Sequence, residues 1–193
     1  MTMWDQRFAG PDYHYGEEPA DFLRREAGRI GAGGRVLSIA DGEGRNSVWL
    51  AAQGFRVTAF DPSPVAQARG QEVDLHLAGT EDWDWAPDRF DAVVAVFIQF
   101  AAPDQRRTIF DGIARTLRPG GLALLHAFSI RQLANASGGP RAPDHLWTLA
   151  MLRQSFPGWE EMTATDHDAV LAEGPGHRGQ AALIDYVVRK PGG

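Results

Sequence analysis

Residues 35–61 read RVLSIADGEGRNSVWLAAQGFRVTAFD. Arg35–Ile39 is a short apolar run, residues 40–46 (ADGEGRN) form a glycine turn, and residues 47–53 (SVWLAAQ) are a helical run closed by Gly54. A second apolar run, Arg56–Phe60, then ends on Asp61. Strand, glycine turn, helix and strand make one βαβ unit. Gly42 and Gly44 flank Glu43, and Asp61 follows Gly42 by nineteen residues. Glycines let the backbone approach a ligand closely, and a carboxylate at the tip of the second strand accepts hydrogen bonds from a ribose diol. Together they point to an adenosine-containing cofactor. A plain structural turn is the competing reading.

Working outward, residues 19–31 place Phe22, Leu23, Ala27 and Ile30 at helical spacing between Pro19 and Gly31, which predicts one amphipathic helix. Downstream, residues 73–77 are a candidate third strand, and residues 90–97 (FDAVVAVF) suit a strand covered on both faces. Residues 103–117 carry Ile109, Phe110, Ile113 and Leu117 on one helical stripe, which Arg118-Pro119-Gly120-Gly121 ends before a strand over 122–128. Residues 131–145 are a long Gly/Pro/polar connection, read as a lid over an acceptor pocket. A helix over 145–156 and two strands, 160–172 and 180–189, complete the chain, with residues 173–179 (EGPGHRG) as a turn-rich link. The expected fold is α/β: a doubly wound, mostly parallel sheet with a C-terminal antiparallel hairpin. Residues 1–193 are expected to form a single domain: an extension and helix over 1–34, a cofactor core over 35–128, and a loop, helix and hairpin over 129–193.

Composition excludes several chemistries. The chain has 193 residues, 44% hydrophobic and 23% charged, with a net charge of −6. It has no run of basic residues, so no nucleic-acid partner is expected. No cysteine is present, which removes thiol nucleophiles, disulfides and Cys-ligated zinc. Lys190 is the single lysine, so a Schiff-base or P-loop lysine has almost nowhere to sit. No stretch approaches the ~18 apolar residues that span a bilayer, and MTMWDQRFAG lacks the regions of a signal peptide. A cytoplasmic protein with no membrane partner is expected. No histidine pair has metal-ligand spacing, and Asp166-His167-Asp168 reads as a solvated turn, so no metal is expected.

Two nucleotide chemistries compete for the glycine turn. A dinucleotide site wants G-x-G-x-x-G facing a pyrophosphate, but the third position here is Ser47, and Arg45-Asn46 would crowd the phosphates. A sulfonium cofactor has no phosphate and fits the loop better. With VLSIADGEGRNSVWLAAQGFRVTAFDPSP, FDAVVAVF and LRPGGLALLHAF in order, the chain resembles class I S-adenosylmethionine-dependent methyltransferases over most of residues 35–128. WDQRF, YHYGEEPADFL, the QL…GGP segment at 132–140 and EGPGHRG further resemble small bacterial enzymes of the tellurite-resistance and thiol (thiopurine) S-methyltransferase type.

The resemblance implies a Rossmann-like seven-stranded sheet of order 3-2-1-4-5-7-6, with S-adenosylmethionine as cofactor and S-adenosylhomocysteine as product. It implies that Ala40, Asp41, Gly42 and Gly44 line the methionine part, that Asp61 holds the ribose hydroxyls, and that Pro62 and Ser63 lie near the adenine. Glu43, Asn46, Thr80, Glu81 and Phe97 complete the implied cofactor set. The chain departs from the family pattern at Ala40, where the first turn glycine stands, and at Ser38, where an acid is common, leaving Asp41 or Glu43 to meet the ammonium. Gly79-Thr80-Glu81-Asp82 lacks the usual adenine-binding Asp, and only twelve steps separate Asp61 from Val73.

Methyl transfer from a sulfonium is an in-line displacement, so alignment in a dry pocket is the main requirement and a base is optional. The segment Val96-Phe97-Ile98-Gln99-Phe100 is apolar with one amide and favours a small-molecule acceptor, a thiol or other soft nucleophile among them. Candidate catalytic residues are Tyr15, which could fold over the cofactor or pack on the sheet, His126, a base or a satisfied core histidine, and His177, a substrate contact or an ordinary turn residue. Trp4, Asp5 and Arg7 read as a structural clasp, and Trp83 and Trp85 as core aromatics or an adenine wall. A nicotinamide-dependent oxidoreductase and a non-catalytic cofactor-binding module are the alternatives from other classes.

Overall fold

The computed structural model describes residues 3–64 and 73–192. Two short helices come first, α1 (Met3–Phe8) and α2 (Asp21–Glu26), followed by β1 (Arg35–Ile39), α3 (Arg45–Ala52) and β2 (Arg56–Asp61). Next are β3 (Asp74–Leu77), β4 (Phe90–Val96), α4 (Pro103–Thr116) and β5 (Leu117–Phe128). Helix α5 (Leu149–Ser155) and the strands β6 (Glu160–Glu173) and β7 (His177–Arg189) close the fold. They form one seven-stranded sheet of order β3-β2-β1-β4-β5-β7-β6. The first five strands pair in parallel, whereas β7 runs antiparallel to both β5 and β6. The expected α/β fold and strand order are those observed.

Adjacent strand residues face opposite layers, as the two-residue period requires. Leu37, Val93 and Leu125 enter one core with Phe60, Phe110, Ile113 and Tyr186. Val36, Val94 and Leu124 enter the other with Phe22, Leu23 and Leu50. Because both faces are covered, β4 is apolar almost without interruption. Helix α4 starts on Pro103, whose missing N–H costs nothing at that position, and buries Ile109, Phe110 and Ile113. Gly112 on its inner face is required by close approach: a Cβ there would lie 2.4 Å from the Trp85 ring.

Several local expectations are corrected. Strand β5 begins at Leu117, since Leu117 pairs with Phe90 and the Pro-Gly-Gly segment is bulged out of the ladder before Leu122 pairs with Ala92. Helix α5 starts only after Thr148, whose hydroxyl accepts from the Met151 N–H, so residues 145–147 lie outside it. Asp166-His167-Asp168 is mid-strand in β6, and Asp166 and Asp168 both pair with Arg131. The hairpin strands are longer than expected, putting His177 at the first position of β7. The shortened segment after Asp61 falls mostly on residues 65–72, outside the described residues.

Candidate functional site

The carboxyl ends of β1, β2, β4 and β5 open into a cavity of about 760 Å³, where ligands of open α/β sheets bind. Its floor is the turn after β1. Ala40 and Gly42 both take left-handed backbone, with φ of 47° and 59°. This is the conformation for which glycine is favoured, and Ala40 holds it at a steric cost.

Asp61 is fixed at the tip of β2. One carboxylate oxygen accepts from the Gly42 N–H at 2.9 Å and the other from the Ser63 N–H at 2.9 Å. A carboxylate has further lone pairs, so both oxygens can still accept from a ligand. Burial pushes the Asp61 carboxyl up from its ordinary value against these two bonds. Asp41 is fixed similarly: Ser38 donates to one oxygen at 2.6 Å and Ser47 donates to the other. Burial raises this carboxyl too, with neighbouring Asp61 adding to the shift. Ser38 therefore supports Asp41, three residues further along the chain. Glu43 accepts from the His14 N–H at 2.7 Å. Thr80 and Glu81 line the facing wall, joined by a 3.1 Å hydrogen bond.

The opposite end of the cavity is aromatic. Phe97, just past β4, has φ 56°, an outlier for a bulky residue and the kind of strain that collects at binding sites. Its ring lies 4.7 Å from Phe128 and 4.4 Å from His177 by centroids. Tyr15 covers His177 at 4.5 Å, and burial raises its phenol above the ordinary value. The hairpin turn reaches this end by packing on the N-terminal segment. A Cβ on Gly174 would lie 2.6 Å from the Gly16 nitrogen, and one on Gly176 would lie 2.5 Å from the Tyr15 ring. Arg45 ties the two together, donating to the Tyr15 and Glu18 carbonyls and, at 2.9 Å, to Glu173. Residues 131–145 are anchored rather than loose. The Gln132 side chain donates to Ser137 and to the Gly138 carbonyl and accepts from the Ala182 N–H.

Of the residues proposed from sequence, Ala40, Asp41, Gly42, Glu43, Asn46, Asp61, Pro62, Thr80, Glu81, Phe97, Tyr15 and His177 meet at this cavity. Gly44 and Ser63 stand behind its wall. The Gly44 carbonyl caps α3, and the buried Ser63 hydroxyl donates to Asp5, which is how α1 clasps the turn. His126 is not on the wall either. It faces α2, stacked 5.0 Å from Phe22, with Nδ1 2.6 Å from Asp185, its register partner on β7. Burial alone would raise the Asp185 carboxyl, but hydrogen bonds from His126 and Arg25 hold it at about 2. Trp83 stacks on Phe60 in the core, and Trp85 packs on that core and donates to the Thr80 carbonyl, so neither lines the cavity. From sequence, Glu173 and Phe128 have no assigned role, Arg45 counts only against a pyrophosphate and Gln99 only as the amide of an apolar stretch. For Glu173 a signal existed, its four-residue spacing from His177 across Gly-Pro-Gly.

Residues 36–121 match a family model described as a methyltransferase domain. The chain resembles class I S-adenosylmethionine-dependent methyltransferases. An uncharacterized methyltransferase of Synechocystis is 33% identical over 115 residues, 57% of this chain and 54% of that protein. The chain spans about half the length of the curated relatives it matches. Among solved structures, the N-methyltransferase NodS from Bradyrhizobium japonicum, in complex with S-adenosylhomocysteine, superposes with a TM-score of 0.71 at 16% identity, covering 97% of this chain and 96% of that one. TehB from Haemophilus influenzae superposes with a TM-score of 0.66 at 20% identity, covering 88% and 61%. These structural likenesses concern the fold. No helix among the described residues is long and apolar enough to cross a membrane.

Proposed function

We propose that the protein is an enzyme that transfers a methyl group from S-adenosylmethionine to a small molecule, a thiol or similarly soft nucleophile. The observation that carries this reading is the Asp61 carboxylate, held by two backbone N–H groups at the tip of β2 and facing the cavity beside the left-handed turn. The donor set suits that cofactor. Asp61 accepts from the ribose diol, Asp41 and Glu43 offer negative charge to the ammonium, and Thr80 and Glu81 flank the adenine. Four carboxyl groups, Asp41, Glu43, Asp61 and Glu81, line the wall, which attracts a cation and repels a pyrophosphate. A nicotinamide dinucleotide is disfavoured on that ground.

Bound there, the sulfonium supplies a methyl group attached to its own leaving group. The chain's contribution is alignment and exclusion of water. Phe97 and Phe128 form apolar walls, while Gln99 locks β5 by accepting from the Phe128 N–H and donating to the Phe128 and His145 carbonyls. Residues 1–193 act as a single domain, and within it the N-terminal segment, the 131–145 loop and the hairpin line the apolar end of the cavity, which suits a small acceptor. The methyltransferase family match and the NodS complex support the reading. Calorimetry with S-adenosylhomocysteine tests it. Asp61→Ala is expected to weaken binding at least about 100-fold, the scale of losing hydrogen bonds to a charged acceptor. Absence of binding to the unaltered protein would defeat it.

A further inference from the structure

The cavity is lined by an imidazole that the cofactor set does not use. His177 stands at the start of β7 with its side chain 7% exposed, and its Nδ1 lies 3.4 Å from Glu173 Oε2, the oxygen that also accepts from Arg45. Among the described residues none hydrogen-bonds its Nε2. That edge of the ring runs along Gly138 on the cavity wall, where a Cβ would lie 2.9 Å from His177 Cδ2 and 3.7 Å from Nε2.

We propose that His177 is the general base for the acceptor, oriented by Glu173, and that the acceptor is therefore a neutral thiol on an apolar body rather than an oxyanion. The proposal rests on the methyltransferase reading above. An ionised carboxylate can only accept, so Glu173 requires the proton of the neutral imidazole on Nδ1 and leaves the lone pair on Nε2. Burial would raise the Glu173 carboxyl, but His177 and Arg45 hold it at about 2, so it is ionised at neutral pH. Burial pushes the His177 imidazole below its ordinary value in spite of Glu173, so the ring is neutral there. The charged and titratable groups around it are Glu173 on β6, Arg45 on α3, Tyr15 and His14 on the N-terminal segment and His126 on β5.

The chemistry balances. The acceptor's S–H proton passes to Nε2, and its electron pair forms the bond to the methyl carbon. The pair of the broken carbon–sulfur bond stays on the leaving sulfur, and the imidazolium returns its proton to water. A thiol, with a pKa of about 8.5, lies about two units above an ordinary imidazole and further above the lowered His177. The proton thus moves uphill, and its transfer is completed as the new sulfur–carbon bond forms. An oxyanion needs no base and would call for free cationic groups, whereas the two guanidiniums on the cavity wall are engaged, Arg45 by Glu173 and Arg7 by the Tyr15 hydroxyl. Phe97, Phe128 and Tyr15 around the ring suit an apolar acceptor body.

Two measurements test this. Histidine side-chain ¹⁵N spectra at pH 7 should show His177 neutral, protonated on Nδ1 and bare on Nε2, with the tautomer mixed or reversed in Glu173→Gln. A protonated Nε2 or a cationic ring in the unaltered protein would overturn the base assignment. Turnover is then compared for benzyl mercaptan, protonated at neutral pH, and 4-nitrothiophenol, already ionised. His177→Gln should lose about 10²-fold or more in kcat on the first and only a few-fold on the second. The variant should keep its affinity for S-adenosylhomocysteine, which also shows that it folds; His177→Asn serves if it does not. Equal losses on both thiols, or none, would overturn the base. Turnover of neither by a protein that binds S-adenosylhomocysteine would overturn the thiol class. Failure of the unaltered protein to bind S-adenosylhomocysteine would strike the cofactor reading instead.

Discussion

The two ends of the cavity are built in opposite ways. At the cofactor end the polar contacts are local. Ser38 and Asp41 are 3 residues apart, Ser47 and Asp41 are 6, and Gly42 and Asp61 are 19, all inside one βαβ unit. At the acceptor end Arg45 reaches across 128 residues to Glu173, and the hairpin turn closes onto His14–Gly16. The first end is a set of carboxyl groups positioned by backbone; the second is a stack of aromatic and imidazole rings positioned by tertiary packing. Burial raises the carboxyls of the first, Asp41 and Asp61, whereas Glu173 behind the second is held low by cationic and hydrogen-bonding partners. Local geometry thus makes the part that falls within the matched residues 36–121, and long-range contacts make much of the part that lies outside them.

The contrast breaks most severely at Arg45, which joins the two ends. Its guanidinium is buried and engages Glu173 and two carbonyls of the N-terminal segment. Arg45→Met leaves the Glu173 carboxylate buried with His177 as its remaining partner. A loss of about 3–5 kcal/mol in unfolding free energy is expected from chemical denaturation. A loss below about 1 kcal/mol would show that the ends are held together by other contacts.

Acid titration separates the two kinds of carboxyl by sign. Glu173 and Asp185, each held at about 2 in the folded protein, contribute stability that is fully present above their unfolded values. That stability is lost as pH falls from about 4 to about 2, on the order of 2 kcal/mol for each group. Asp41 and Asp61, raised by burial, act the other way: protonating them favours the folded state as pH falls through their raised values. His177, lowered by burial, acts against them: the unfolded chain takes up its proton first, which costs stability as pH falls through the ordinary imidazole range. The unfolding free energy should therefore change modestly on mild acidification and fall steeply below about pH 4. Glu173→Gln should blunt the steep limb, and Asp61→Asn should remove a gain and steepen the mild-acid slope; an Asp61→Asn profile parallel to that of the unaltered protein would contradict the assignment.

The same contrast explains what was legible in the sequence. The βαβ unit follows from patterns within about thirty residues, the alternation of apolar runs, Gly42 and Gly44, and Asp61 at a strand end, whereas the strand order and most of the cofactor wall are implied by the family resemblance. Ser63 stands behind the cavity wall because its hydroxyl turns to Asp5, a partner 58 residues away that no local pattern points to. His126 and His177 are both histidines near the sheet's carboxyl edge. Strand parity turns His126 toward Phe22 and Asp185, and the hairpin's packing on Tyr15 turns His177 to the cavity. The 131–145 stretch has the composition of a mobile loop, yet one glutamine, Gln132, pins it through three hydrogen bonds that no periodicity encodes.

The smallest expected effect lies in the turn itself, where Ala40 and Gly42 share left-handed backbone and differ by a methyl group. For an L-residue this region costs about 1–2 kcal/mol, and glycine removes that cost while adding about 0.5–1 kcal/mol of unfolded-state entropy. Ala40→Gly should thus stabilise the fold by about 0.5 kcal/mol, less what is lost where the Ala40 methyl packs against the core. The denaturation midpoint should shift upward with an unchanged slope. Gly42→Ala adds the cost that Ala40→Gly removes and puts a Cβ 3.5 Å from the Phe8 ring, on the cavity wall beside Asp61. It should lower S-adenosylhomocysteine affinity more than it lowers stability, while Ala40→Gly leaves affinity within about threefold. If the two substitutions changed affinity equally, the turn would act as a general support for the fold, and the close approach to a ligand would not be made at Gly42.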